Sequence, residues 1–114
     1  MISKPKVLRS FLSTIAQHSS RVITVKEAAL RIHVDPSDLN RICYFETGKR
    51  AKALLDDEFK RRVIHDLKTT CLMGYEIAAK MGFSDPRNFY RKVTRIFGKG
   101  WSSVEIDFRT GKRN

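Results

Sequence analysis

The stretch Ile77-Ala78-Ala79-Lys80-Met81-Gly82-Phe83-Ser84-Asp85-Pro86-Arg87-Asn88-Phe89-Tyr90-Arg91 decides the fold. Its first part belongs to a short helix that follows Gly74 and carries Tyr75, Ile77, Ala78 and Met81 before Gly82 ends it. Ser84 or Asp85 suits the cap of the next helix, since a short polar side chain accepts from the free amides of the first turn. Pro86 then falls at the first helical position, where a missing N–H loses no hydrogen bond. From Asp85 to about Phe97 the periodicity predicts a helix with Phe89, Val93, Ile96 and Phe97 inward and Arg87, Asn88, Arg91 and Arg95 outward. Gly98 and Gly100 stop it. A short helix, a tight turn and a second helix with an exposed Arg/Asn face is the helix-turn-helix pattern, whose second helix lies in the major groove of DNA.

The same pattern recurs upstream. Thr24 and Glu27 form a capping box for a helix from Val25 to Ile32 that buries Ala28, Ala29 and Ile32. His33-Val34-Asp35-Pro36 reads as a turn. A helix from Pro36 to about Glu46 then sets Leu39, Ile42 and Cys43 on one face and Ser37, Asn40, Arg41 and Tyr44 on the other, until Gly48. Between the two patterns, Lys49 to Lys68 reads as a long helix with Leu55, Phe59, Val63 and Leu67 every four residues. Lys60-Arg61-Arg62 reads as its solvated outside. Ahead of everything, Lys6 to His18 has Val7, Leu8, Phe11, Leu12 and Ile15 at helical spacing, and Ser19, Ser20 and Arg21 break it. The expected fold class is all-α, two helix-turn-helix subdomains joined by a long linker helix, about seven helices in all. The subdomains fall at 1–48 and 69–108, with the linker over 49–68 and a disordered basic tail over 109–114; the pattern is already weak from Ile106 onward.

A chain of 114 residues with 41% hydrophobic content has room for one compact domain with a real core. Lys and Arg number 23 against 12 acidic residues, a formal charge of +11 that draws polyanions, nucleic acid first and anionic membrane second. No stretch approaches the roughly 20 apolar residues that cross a bilayer. The basic start, Met1 to Arg9, leads into a polar-interrupted segment unlike a secretory signal, so the cytoplasm is the expected location. Cys43 and Cys71 stand in apolar runs and read as buried thiols. His18, His33 and His65 form no ligand-like cluster with each other or with them. Nothing combines a nucleophile, a base and an orienting group, and no Gly-rich loop is built to cradle phosphate. No enzyme activity, metal or cofactor is expected.

The quoted stretch resembles the second helix-turn-helix of the AraC/XylS family: Ile-Ala, three residues, Gly-Phe, then Asp, Phe and Arg at matching offsets. Ala28-Ala29 through Leu39-Asn40-Arg41 and Gly48 resembles the family's first unit, and the resemblance runs from about Lys6 to Glu105. It implies a stand-alone bacterial transcription regulator that binds double-stranded promoter or operator DNA, an activator with RNA polymerase as a second partner. The chain departs from the family in three places. Cys43-Tyr44 and Val93-Thr94 stand where Phe-Lys is usual, Gly98-Lys99-Gly100-Trp101 replaces a Gly-x-Thr-Pro segment, and His33 stands where Gly is common.

A linker helix of about 20 residues at 1.5 Å rise spans roughly 30 Å, close to the 34 Å between successive major grooves. One chain, without dimerising, is thus expected to set two recognition helices in adjacent grooves. Base-edge contacts are assigned to Ser37, Asn40 and Arg41 in the first unit and Arg87, Asn88 and Arg91 in the second, because Asn pairs bidentately with adenine and Arg with guanine. Backbone or accessory contacts fall to Tyr44, Lys49, Arg50, Tyr90, Lys92 and Arg95. Asp38 on the same face repels phosphate. Arg41 and Arg91 have an alternative as partners of nearby carboxylates, and Trp101 reads as a core plug. Two other functions fit the composition: a low-specificity nucleic-acid binder, and a protein-interaction module that kept the fold.

Overall fold

The computed structural model describes residues 4–17 and 23–109, which form seven α-helices and no strand. In chain order they are α1 (Lys4–Gln17), α2 (Val25–Arg31), α3 (Pro36–Thr47), α4 (Ala51–Thr69), α5 (Gly74–Lys80), α6 (Pro86–Phe97) and α7 (Trp101–Phe108). The all-α, double helix-turn-helix architecture expected from the sequence is the one found. The break expected at Ser19, Ser20 and Arg21 lies outside the described residues, as does the tail over 110–114.

The chain divides into two compact units, Met1–Glu58 and Phe59–Asn114. The helix read as a linker contributes core residues to both: Ala51 and Leu55 are buried in the first unit, Phe59, Val63 and Leu67 in the second. Its buried apolar residues recur every four positions along α4, a spacing that advances around the helix axis at 3.6 residues per turn.

In the first unit Val7, Phe11 and Ile15 of α1 join Ala28 and Ala29 of α2 and Leu39 and Cys43 of α3 in one core. Burial pushes the Cys43 thiol above its ordinary pKa, which suppresses the reactive thiolate. Thr24 and Glu27 cap α2 as their spacing predicts: the Glu27 amide donates to Thr24 Oγ1 at 3.1 Å, and the Thr24 amide to Glu27 Oε1 at 3.3 Å. At the other end the His33 amide donates to the Leu30 carbonyl and the Val34 amide to the Ala29 carbonyl, the pair that defines a Schellman closure. The second unit repeats it, with Gly82 donating to Ala79 and Phe83 to Ala78. The residue after the cap is left-handed in each case, His33 at φ 59° and Gly82 at φ 89°. In the first turn histidine adopts the backbone that glycine adopts in the second.

The second core gathers Phe59, Val63 and Leu67 with Ile77, Ala78, Met81, Phe89, Val93 and Val104. Phe83 is half-buried and completes a ring cluster with Phe59 and Phe89, centroids 5.5–6.3 Å apart. Lys80 Nζ reaches the buried Asp66 carboxylate at 2.9 Å and ties α5 to α4. The weakly patterned end of the chain forms α7, because Trp101, Val104 and Phe108 share an inward face against Phe89, Tyr90 and Phe97. Gly74 makes room for this. A Cβ there would stand 2.8 Å from Trp101 Cε2 and Nε1 and from the Tyr90 hydroxyl, closer than any side chain tolerates.

Arg109 and Cys71 depart from expectation. Arg109, placed in the disordered tail, has a side chain only 5% exposed. It donates from Nη1 to the Thr70 carbonyl at 2.9 Å and from Nη2 to the Leu72 carbonyl at 2.6 Å, both in the connection between α4 and α5. Cys71, expected buried, is exposed, since it sits in the connection between α4 and α5 rather than on a helix face.

Candidate nucleic-acid interface

Both helices that open on Asp-Pro are built alike. Asp35 accepts from the Ser37 amide at 2.8 Å and Asp85 from the Arg87 amide at 2.9 Å, each capping its helix ahead of a proline. The buried pairs Leu39/Cys43 and Phe89/Val93 then fix which way each helix faces. On α6 this leaves Arg87, Asn88, Arg91 and Arg95 exposed together, as the sequence predicts.

The exposed face of α6 is internally linked. Arg87 Nε approaches both oxygens of Asp85, at 3.2 and 3.1 Å, and its Nη2 donates to Oδ2 at 2.9 Å. The Arg87 guanidinium first, and then the Arg87 amide, hold the Asp85 carboxyl below its usual pKa. Arg91 Nη1 donates to Asn88 Oδ1 at 3.1 Å, so two residues assigned to bases already touch. Tyr90 and Lys92 do not share this face. The Tyr90 ring lies 5.9 Å from that of Trp101 and beside Gly74, and Lys92 Nζ sits 4.7 Å from the centroid of the Phe59 ring. Both are half-buried, drawn inward by aromatic surface that adjacency in sequence does not reveal.

On α3 the candidate residues separate. Ser37, Arg41 and Tyr44 are exposed. Arg41 pairs with Asp38, so the carboxylate expected to repel phosphate is held by a neighbouring guanidinium. Asn40 is half-buried, and its Oδ1 accepts from the Ala51 amide at 3.1 Å, capping the start of α4. That oxygen is one of the two atoms that bidentate adenine recognition requires. Lys49 Nζ binds Asp57 at 2.8 Å across the exposed surface, while Arg50 is exposed nearby.

A groove of about 1100 Å³ runs along this face, with Lys4, His33, Arg41, Tyr44, Phe45 and Arg50 among its walls. Phe45 is absent from the sequence-based list. It is 70% exposed, with Lys4 Nζ 3.9 Å from its ring centroid. The available signal was its place four residues after Arg41, which puts it on the outward face. Among the described residues no group of three or more His, Cys, Asp or Glu is arranged to hold a metal. No described helix is long and apolar enough to cross a membrane.

No family profile matches the chain. It is 36% identical over 75 residues to the Ornithine utilization regulator of Pseudomonas aeruginosa; the match takes in 66% of this chain and spans 22% of that protein's length. In structure it is similar to the C-terminal domain of AraT, a response regulator from Geobacillus stearothermophilus, with TM-score 0.79 and 21% identity, covering 95% of this chain and 90% of that one. It is also similar to the DNA-binding domain of AdpA, the global transcriptional factor, solved with a target DNA: TM-score 0.69, 18% identity, 96% and 95% covered. A probable AraC family transcriptional regulator from Rhodopseudomonas palustris matches with TM-score 0.65 and 18% identity, 90% and 97% covered. Each of these is named as a regulator, a transcription factor or part of one, and none as an enzyme. In its fold, the chain is a double helix-turn-helix domain similar to these solved domains, one of which is named as a probable AraC family regulator.

Proposed function

We propose that this domain is a sequence-specific binder of double-stranded DNA in a bacterial transcription regulator, with α3 and α6 as recognition helices in adjacent major grooves. The observation that carries the reading is the outward face of α6. Arg87, Asn88 and Arg91 stand exposed together on a helix whose start is capped and whose inward face is locked by Phe89 and Val93. Arginine and asparagine are the side chains whose hydrogen-bond edges match guanine and adenine. The repeat of the same turn and cap before α3, and the likeness to the AdpA domain with its target DNA, support a second reading helix on the same chain.

Two recognition helices in one chain make a monomer sufficient for a bipartite site. The family resemblance extends the reading to activation through contact with RNA polymerase, and a DNA-bound regulator of this kind works on the nucleoid in the cytoplasm. Ser37, Arg41 and Tyr44 are the base-facing candidates on α3, with Asn40 holding α4 instead. Arg50 and Arg95 are the backbone contacts.

Selection of bound sequences from a random duplex library at near-physiological salt tests this. The expected product is a pair of short motifs about ten base pairs apart, one per recognition helix. A single motif limits reading to one unit. Binding without enrichment, fading steeply with salt, overturns the reading in favour of a low-specificity nucleic-acid binder.

A further inference from the structure

The two recognition helices open on the same dipeptide, Asp35-Pro36 and Asp85-Pro86, and both aspartates cap. The residue that follows differs: Ser37 in the first unit, Arg87 in the second. We propose that Asp85 is also a positioning residue, holding the Arg87 guanidinium in the orientation that reads guanine and so specifying one base of the target. This rests on the DNA-binding function proposed above.

The geometry of the guanidinium carries the argument. It has five N–H donors fixed in one plane. Asp85 engages the edge made by Nε and Nη2. Two hydrogens on Nη1 and one on Nη2 remain, and one from each nitrogen points outward as a parallel pair along the far edge. The adjacent acceptors O6 and N7 of guanine match such a pair. An exposed arginine without a partner is free to swing onto a phosphate; here the carboxylate restrains the side chain and repels phosphate from that edge. The ion pair lies in solvent, where such pairs add little stability, so orientation is its larger consequence. In the first unit the cap carries no guanidinium, and Arg41 pairs with Asp38 from within the helix.

The test is the same selection run on the wild-type chain and on R87A, D85S and D85N. Serine and asparagine cap a helix about as well as aspartate, so both Asp85 variants keep α6, which thermal melting verifies. The wild type is expected to recover a guanine at one position of the motif read by α6. R87A should weaken that preference by about tenfold or more, and D85S and D85N by roughly fivefold at the same position and no other. Binding of unrelated duplex by the Asp85 variants should be equal or tighter, one negative charge having gone. If R87A flattens a position that D85S and D85N leave at wild-type strength, Asp85 only caps, and the proposal is overturned with the DNA-binding function intact. A motif that R87A leaves unchanged overturns it too, since Arg87 then reads no base. If the wild type enriches nothing, the function and the proposal fall together.

Discussion

His33 holds, at φ 59°, the backbone that Gly82 holds at φ 89° in the other turn. The Schellman closure requires that conformation, and a Cβ in the left-handed region costs about 1 kcal/mol or more. His33→Gly is therefore expected to stabilise the first unit by about 0.5–1 kcal/mol, the added freedom of glycine in the unfolded chain taking back part of the gain. Urea denaturation would register this as a higher midpoint at unchanged slope. A lower midpoint would mean that the His33 side chain contributes contacts worth more than the backbone strain. Asn40 makes a related point about single residues. Its type suits adenine, yet its oxygen serves the Ala51 amide, and local chemistry alone does not choose between those uses.

At the scale of the helix, α3 and α6 are set by their ends as much as by their faces. Each is bounded by an aspartate cap, a proline in the first turn and a left-handed glycine, Gly48 or Gly98. The cap of α6 is also where acid should act. Arg87 holds the Asp85 carboxyl below its usual pKa. A carboxyl depressed on folding contributes stability above its unfolded value, near 3.9, and loses it as pH falls through the lower folded value. The stability difference between wild type and D85N, measured by denaturant titration, should thus be constant near neutrality and shrink toward zero below about pH 4. A difference indifferent to acid would show that the ion pair with Arg87 does not persist in solution.

For the whole molecule, the charge of +11 makes salt the natural probe. Each phosphate contact adds about −0.9 to the slope of log K against log salt. Arg50 and Arg95 lie exposed on their units, whereas Lys92 has its ammonium over the Phe59 ring. Arg50→Ala and Arg95→Ala are each expected to make the slope shallower by about one, and Lys92→Ala to leave it within error of the wild type. An equal drop for Lys92→Ala would mean that the side chain leaves the aromatic surface on DNA.

The sequence by itself determined the first six helices, both turns and the outward face of α6. Caps, prolines, left-handed turn positions and four-residue apolar spacing act within a few residues, so Thr24 with Glu27, or Pro86 after a cap at Ser84 or Asp85, is legible without knowing the fold. Tertiary structure decided the rest. Tyr90 and Lys92 turn inward because Trp101, Gly74 and Phe59 gather beside them; α7 forms where the pattern is weak because Phe89 and Phe97 offer it a surface. Arg109 leaves solvent for the carbonyls of Thr70 and Leu72. These outcomes depend on partners distant in the chain. Burial of aromatic surface and satisfaction of open carbonyls are settled only when the fold brings those partners together.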